Sequence, residues 1–144
     1  AIGCAQLEQL AAFRKRRIET FALYDSLLMP TGFFEKQTVR PGYDGSYWLY
    51  TICLKQGMAG GRDQLMDKLR LCGVDSRPIF YPMNQMPAFT DVIKSGPLCN
   101  SEDISARGIS LPSSVTLSDS EIRGICKRLL ALLTKNDLMA EISA

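Results

Sequence analysis

Two helical patterns, one at each end of the chain, constrain the fold more than any other feature of the sequence. The first covers 7–28, where apolar residues recur at spacings of three, four or their multiples until Pro30 stops the pattern. The second follows Ser118 and Glu121, whose spacing is that of a capping box. The two apolar faces comprise Leu10, Ile18, Phe21, Tyr24 and Leu28 in the first helix, and Ile122, Ile125, Cys126, Leu129 and Leu133 in the second. Each helix is therefore expected to pack its apolar face against the rest of the domain.

The middle of the chain contains apolar runs that are too short for such helices. The run over 47–54 is dense in β-branched and aromatic residues and is the strongest predicted strand. A second strand is expected to start near Val74. A third covers 109–111 until Pro112 breaks it.

Two short helices are predicted between these strands. One covers 65–72 and is closed by Gly73, which suits the left-handed position after a helix end. The other is capped by Asn100 or Ser101 and stops at Gly108. Strands separated by helices predict an α+β domain, with a small, mainly antiparallel sheet covered by helices on one face and long helices at both ends.

The lack of histidine in all 144 residues excludes several kinds of site at once. A Ser-His-Asp triad, a Cys-His pair and a histidine-based zinc site each need an imidazole. The formal net charge is +2, which gives no reason to expect nucleic acid or a membrane surface as a partner. No apolar run approaches the roughly 20 residues that span a bilayer. We therefore nominate neither catalytic nor metal-binding residues from composition.

The cysteines indicate the compartment. They are odd in number, widely spaced and never arranged as C-x-x-C, which predicts reduced, mostly buried thiols and hence a cytoplasmic protein. The five are Cys4, Cys53, Cys72, Cys99 and Cys126.

Three polar motifs have structural interpretations that outweigh functional ones. The basic run 14–17 lies inside the first helix without interleaved aromatics, so we expect a solvated helix face rather than a nucleic-acid patch. The glycines of 57–61 do not match the spacing of a phosphate-binding loop and predict a turn. Ser113 and Ser114 could bind a ligand, but hydroxyls after Pro112 more often satisfy backbone groups in a turn.

The segment 76–89 has an unusual composition for a loop. Between Arg77 and Phe89 it has three prolines, which oppose regular structure, and also three aromatic residues and two methionines, which favour burial. A rigid apolar wall with one guanidinium would suit a binding pocket, because arginine can hold a phosphate or carboxylate bidentately. A well-packed loop or a subunit contact explains the same composition equally well, and both interpretations stay open.

Five pieces of the sequence resemble one enzyme family. In chain order they are AIGCAQLEQL at 1–10, SYWLY at 46–50, RDQL at 62–65, RPIFYP at 77–82 and GISLP at 108–112. Together they resemble the carboxy-terminal portion of the DegT-type sugar aminotransferases, which are fold-type I pyridoxal-phosphate (PLP) enzymes, and most closely the perosamine synthase branch. The resemblance extends from the first residue to about Leu133.

The resemblance implies an activity for a larger parent enzyme. The parent would be a homodimer that moves an amino group from glutamate, through PLP, to the keto carbon of a 4-keto-6-deoxy sugar nucleotide for O-antigen biosynthesis, with PLP as the electron sink. In the family the Schiff-base lysine and the PLP contacts lie upstream of the part that resembles this chain. This chain alone is therefore expected to hold no PLP and to be inactive.

The resemblance also implies a domain plan and a site. Residues 1–28 would be a connector helix from a missing amino-terminal PLP domain, 29–135 the small domain and 136–144 a tail. The chain opens inside a helical pattern with neither an initiator methionine nor a capping residue, which agrees with a cut from a longer protein.

Four residues are the candidates for contacting the sugar nucleotide: Arg77 and Tyr81 first, with Phe80 and Asn84 behind them. Two alternative functions remain, a stand-alone sugar-nucleotide-binding domain without chemistry and a protein-interaction module that uses an exposed apolar loop.

Overall fold

The computed structural model describes residues 2–58, 61–89, 96 and 98–142, with side chains as far as Thr134. Five α-helices and four strands are present in this part of the chain. The helices are α1 (Ile2–Glu8), α2 (Leu10–Leu28), α3 (Gly61–Leu71), α4 (Cys99–Arg107) and α5 (Asp119–Ile142), and the strands are β1 (Phe34–Lys36), β2 (Tyr50–Leu54), β3 (Arg77–Pro78) and β4 (Gly108–Leu111). Short 3₁₀ turns cover Met29–Thr31, Met83–Gln85 and Pro87–Phe89.

The four strands form one antiparallel sheet in the order β1-β2-β4-β3. Every second residue of β2 is buried, namely Tyr50, Ile52 and Leu54, and these pack with the helices in one core. Side chains alternate along a strand, so Thr51 points to the opposite face. This arrangement confirms the predicted α+β class with a small antiparallel sheet.

The core is one continuous apolar cluster between the sheet and helices α2, α3 and α5. Tyr24 and Tyr50 stack at its centre with ring centroids 4.5 Å apart. Their hydroxyls are also satisfied, because Tyr24 donates to the carbonyl of Pro112 and Tyr50 donates to Oδ1 of Asp25, each at 2.8 Å. Burial raises the pKa of both phenols. The cluster holds Tyr24, Leu28, Phe34, Tyr50, Ile52, Leu54, Leu65, Leu69, Val74, Ile109, Leu111, Ile122, Ile125, Cys126, Leu129 and Leu133.

Two local signals at helix ends are confirmed, but the predicted cap of α4 by Asn100 or Ser101 is wrong, because α4 begins at Cys99 after Leu98 and both residues lie inside it. The backbone N–H of Ser118 donates to Oε2 of Glu121 at 2.7 Å, and the N–H of Glu121 donates back to the Ser118 hydroxyl at 3.3 Å, which confirms the capping box. These bonds lower the pKa of Glu121, the side-chain bond from Ser118 contributing most. Gly73 adopts a φ of 76° after α3, as predicted.

The strand predictions need three corrections. β2 begins at Tyr50 rather than at 47, because Tyr47 has a φ of 50°, which does not belong to a strand. β3 begins at Arg77 rather than near Val74, whose side chain instead joins the core. β1 was not predicted, since its three residues carry almost no pattern of their own.

The first predicted helix, which the structure divides into α1 and α2, buries only its carboxy-terminal half. Thr20, Tyr24 and Leu28 are buried, but Leu7 and Leu10 of the predicted apolar face are 69% and 55% exposed. Helix begins at Ile2, as expected of a chain that opens inside a helical pattern, and is interrupted at Gln9. The amphipathic helix is therefore correct as an element, but half of its apolar face has no partner among the described residues.

The cysteines are unpaired, as predicted, but most are not buried. Cys4, Cys72 and Cys99 are exposed, Cys53 is half-buried and Cys126 is in the core. The prediction of mostly buried thiols was thus wrong. Cys72 lies just past the last turn of α3 and Cys99 begins α4, where each side chain faces solvent.

Candidate functional site

Arg77, the first candidate, begins β3 with an exposed side chain. Its guanidinium is 77% exposed and makes one ion pair, from Nη2 to Oδ2 of Asp75 at 3.1 Å. The sheet register places Arg77 opposite Ser110, and Ser110 opposite Thr51. The hydroxyls of Thr51 and Ser110 are 2.9 Å apart. One row across three strands therefore holds an exposed cation, the buried Ser110 and the half-buried Thr51.

Phe80 and Tyr81 follow β3 and are also exposed, at 72% and 54%. The Phe80 ring stacks on the indole of Trp48, with centroids 6.4 Å apart and planes 27° apart. Trp48 precedes Thr51 on β2 while Phe80 follows Arg77 on β3, and these two strands run in the same direction. Contact between the rings therefore requires the chain to turn back from the strand direction.

Asn84 is placed differently from the other three candidates. Its amide nitrogen donates to Oε1 of Glu102 on α4 at 2.6 Å, which anchors the segment to that helix. Its carbonyl oxygen is buried and accepts no hydrogen bond from the described residues. An unpaired buried acceptor costs about 1–3 kcal/mol. The structure thus exposes Arg77, Phe80 and Tyr81 to solvent, whereas the carbonyl oxygen of Asn84 is buried and has no partner among the described residues.

The exposure of this segment decides against one part of the second interpretation, the well-packed loop. None of the residues from Arg77 to Phe89 is buried, and Phe80, Tyr81 and Met83 are each more than half exposed. The expectation that the aromatics and methionines demand burial within this chain was therefore wrong. A segment packed into its own domain is excluded, and a binding wall or a contact with another polypeptide remains.

Trp48 is a member of this surface that sequence reasoning missed. It is the sole tryptophan of the chain and is 60% exposed. The preceding residue, Tyr47, has a φ of 50° although it is not glycine, a conformation that costs about 1–3 kcal/mol. The local signal is a large apolar ring two residues after the turn-forming residues Gly45 and Ser46, within a run that predicts only a strand.

The basic run in α2 holds this turn in place, which corrects its prediction as a solvated helix face. Arg17 donates from Nη1 to the carbonyls of Tyr47 at 3.1 Å and of Trp48 at 2.5 Å. Arg14 is ion-paired with Asp44. Arg16 pairs with Asp119 at 2.9 Å. Three of the four cations therefore tie α2 to other parts of the domain.

The glycine and serine motifs have the structural roles that were predicted. Gly57 and Gly61 adopt positive φ angles of 83° and 65° at a turn, while Gly60 lies outside the described residues. The Ser113 hydroxyl donates to the carbonyl of Trp48 at 3.2 Å, and that of Ser114 lies 2.8 Å from the hydroxyl of Thr116. Both serines thus satisfy groups in turns.

A groove of about 180 Å³ beside this glycine turn is lined by three cations, Lys55, Arg62 and Arg107. Two of them are already neutralised within the chain. Arg62, 8% exposed, pairs with Asp63 at 2.7 Å and donates to the carbonyl of Ser105. Arg107 binds Asp103 and Glu35. Arg62 of the RDQL motif therefore links α3 to α4, and Arg107 links α4 to β1 of the sheet.

Comparison with solved structures identifies the architecture first. The aminotransferase PseC of Helicobacter pylori, involved in the biosynthesis of pseudoaminic acid, superposes with a TM-score of 0.81 at 21% identity. The match covers 92% of this chain and 36% of that one. The fold is thus one found within a much larger aminotransferase.

The sequence then identifies the family. Residues 1–130 match the DegT/DnrJ/EryC1/StrS aminotransferase family, and the chain belongs to it. GDP-perosamine synthase of Vibrio cholerae is 34% identical over 128 residues, which are 88% of this chain and 34% of that enzyme. The GDP-perosamine synthase of Escherichia coli O157:H7 is 32% identical over 127 residues, which are 88% and 33% of the two chains. This chain therefore spans about a third of the length of these relatives.

Among the described residues, no helix is both long and apolar enough to cross a membrane.

Proposed function

We propose that this chain is the carboxy-terminal domain of a PLP-dependent aminotransferase that moves an amino group from glutamate to a 4-keto-6-deoxy nucleotide sugar. The observation that carries the proposal is the exposed group of Arg77, Phe80 and Tyr81 on a domain of the aminotransferase family. Similarity to GDP-perosamine synthases supports a GDP-linked sugar. The proposed pathway is O-antigen sugar biosynthesis.

Each candidate residue has a role that fits its surroundings. The Arg77 guanidinium, with one exposed carboxylate as its ion-pair partner, can grip the diphosphate bidentately. Phe80 and Tyr81 supply apolar walls that shape the pocket around the substrate. Asn84 stays a proposed substrate contact behind these residues, although its carbonyl oxygen is buried within this chain. All four are substrate-binding residues, and none performs the chemistry.

The described residues do not by themselves fit PLP. A Schiff-base lysine has to be held at a prepared pocket, yet Lys15, Lys36, Lys55 and Lys127 are exposed and Lys36 is paired with Asp25. Lys68 is half-buried on α3, and Lys94 and the side chain of Lys135 lie outside the described part of the chain. Bound PLP would act as the electron sink of the reaction.

Two partners belong to the proposal, an amino-terminal domain that carries PLP and a second copy of the complete enzyme. An amino-terminal domain carrying PLP would pack against the exposed half of the first helix, where Ile2, Leu7 and Leu10 are 83%, 69% and 55% exposed. The complete enzyme would act as a homodimer in the cytoplasm. The chain alone would bind no PLP and would be inactive.

A hybrid enzyme tests the proposal directly. The 128 matched residues of the Vibrio cholerae GDP-perosamine synthase are replaced by those of this chain, and the purified hybrid is assayed with PLP, glutamate and a GDP-linked 4-keto-6-deoxy sugar. We expect amination of the sugar above the level of the truncated enzyme that lacks the segment. A soluble, PLP-loaded hybrid without amination would contradict the proposal.

Arg77 provides a sharper test within the hybrid, with Arg70 as a matched control. Both guanidiniums are 77% exposed and both pair with a nearby aspartate, at 3.1 Å and 3.3 Å. Arg77→Met is expected to lower kcat/KM by about 5- to 150-fold, because a hydrogen bond to a charged group contributes about 1–3 kcal/mol. Arg70→Met should leave kcat/KM unchanged. Equal effects of the two substitutions would remove Arg77 from the site.

The isolated chain separates this function from the alternative of a stand-alone binding domain. Mixed with PLP, it should develop no stable internal-aldimine absorbance, and borohydride should fix no cofactor to a single lysine. Micromolar binding of a GDP- or dTDP-linked keto sugar to the isolated chain would favour the stand-alone domain instead.

A further inference from the structure

We infer that Trp48 is a further ligand-contacting residue of this surface, positioned by Arg17 and Ser113, and that the Trp48–Phe80 pair forms the stacking surface for a nucleobase. The choice of a nucleobase rests on the proposed function, whereas the positioning of Trp48 rests on the geometry alone.

The backbone around Trp48 is held in a conformation that it would not adopt unaided. Tyr47 has a φ of 50°, in the left-handed region that favours glycine. Arg17 donates to the carbonyls of both Tyr47 and Trp48, and Ser113 donates to the second carbonyl at 3.2 Å. The Phe21 ring meets the Tyr47 ring edge to face, 5.3 Å away. Contacts from α2 and from the end of β4 thus fix one turn of the chain.

This fixation delivers an aromatic ring to solvent rather than to the core. The indole of Trp48 is 60% exposed and the Phe80 ring with which it stacks is 72% exposed. Burial within the domain therefore does not account for the arrangement. A rigid pair of exposed rings is the platform on which nucleobases stack, since every base has a flat π face.

An exposed cation on the same segment as Phe80 agrees with such a ligand. Arg77 lies three residues before Phe80 on the same segment and leaves its guanidinium 77% exposed. A base on the rings and a diphosphate on the guanidinium together describe a nucleoside diphosphate. A sugar ring stacked on Trp48 is the competing occupant, and the choice of probes below distinguishes the two.

The intrinsic fluorescence of the chain reports on this residue alone, because Trp48 is its sole tryptophan. GDP is titrated into the chain, with N-acetyltryptophanamide as the reference for light absorbed by guanine. We expect saturable quenching in the millimolar range, as one stacked base and one cation would give, and none with mannose 1-phosphate or pyrophosphate. Equal quenching by mannose 1-phosphate, or none by GDP, would overturn the nucleobase assignment.

Substitutions test the positioning of Trp48. Arg17→Met and Ser113→Ala should each weaken GDP quenching by about 5-fold or more and make Trp48 more accessible to acrylamide, because the indole is no longer held on Phe80. Arg14→Met is the matched control, since Arg14 lies on the same helix and pairs with Asp44 of the same loop without touching the two carbonyls. Folded Arg17→Met or Ser113→Ala protein with wild-type quenching would overturn the positioning role.

The hybrid enzyme supplies a second readout. Trp48→Leu should raise the KM for the nucleotide sugar by about 5- to 150-fold with kcat unchanged, whereas a purely structural role would reduce the amount of active enzyme and leave KM alone. An active hybrid without GDP quenching in the chain would sink this inference and leave the proposed function standing. An inactive hybrid together with GDP quenching in the chain would contradict the proposed function and leave this inference standing.

Discussion

Two faces of the molecule, the helix-covered side of the sheet and the exposed surface of the 76–89 segment, use similar residues in opposite ways. On the helix side Tyr24 and Tyr50 are buried, stacked and hydrogen-bonded. On the side of the 76–89 segment, Phe80 and Tyr81 are equally large but stay more than half exposed, and a buried carbonyl oxygen of Asn84 has no partner among the described residues. The first face accounts for the stability of the domain. The second is incomplete as it stands, which is expected of a surface that meets a ligand or another polypeptide.

The largest effect expected from this comparison comes from the same substitution made on each face. Tyr50→Ala should lower the free energy of unfolding by about 3–5 kcal/mol, because it empties a buried aromatic position and removes the hydroxyl that donates to Oδ1 of Asp25. Tyr81→Ala should change it by no more than about 0.5 kcal/mol. Urea unfolding followed by circular dichroism measures both. A loss of stability in Tyr81→Ala comparable to that in Tyr50→Ala would mean that the exposed face also supports the fold.

The sequence predicted the helix side well because its signals are local. The capping box of Ser118 and Glu121, the apolar period of α5 and Gly73 after α3 each depend on residues close in the chain. β1 was missed because Phe34–Lys36 becomes a strand only through its pairing with β2. No local pattern indicates such a partner.

The site was predicted only in part for the same reason. Its unusual composition singled out the segment containing Arg77, Phe80, Tyr81 and Asn84, and the structure places the first three at the surface. Trp48 joins them through its ring contact with Phe80 and through the left-handed conformation of Tyr47. A glycine at position 47 would have indicated that conformation in the sequence, whereas a tyrosine does not. The bond from Arg17 to this turn spans 30 residues of sequence and could not be inferred from the basic run.

A substitution of intermediate effect is expected at Gly108, which begins β4 and lies next to Ile79 of the exposed segment. A Cβ there would lie 2.7 Å from both the carbonyl oxygen of Ile104 and the Cγ2 of Ile79, so the start of the exposed segment would have to shift. Gly108→Ala should destabilise the domain by about 1–3 kcal/mol and also alter the fluorescence of Trp48. Gly3→Ala is the matched control, because nothing lies within 4 Å of its added carbon. That substitution should be neutral or should stabilise α1. Equal stability of the two variants would show that Ile79 yields easily and that the faces are uncoupled.

The smallest effect concerns Cys126, whose thiol lies on the buried side, and it is compared with the exposed Cys72. Burial raises the pKa of the Cys126 thiol from its ordinary 9.0 to about 11, because the folded core disfavours the thiolate. The unfolded chain therefore releases this proton at lower pH than the folded one, so the thiol leaves stability unchanged below about pH 9 and reduces it as the pH rises towards 11. A Cys126→Ala variant should be less stable than wild type at neutral pH and should lose less stability over that interval, whereas Cys72→Ala should follow the wild-type curve throughout. At neutral pH a disulfide reagent should label Cys72 at once and Cys126 only as fast as the domain opens. Rapid labelling of Cys126 in the folded chain would contradict this expectation. It would mean that solvent reaches the helix side of the sheet as easily as it reaches Phe80 and Tyr81.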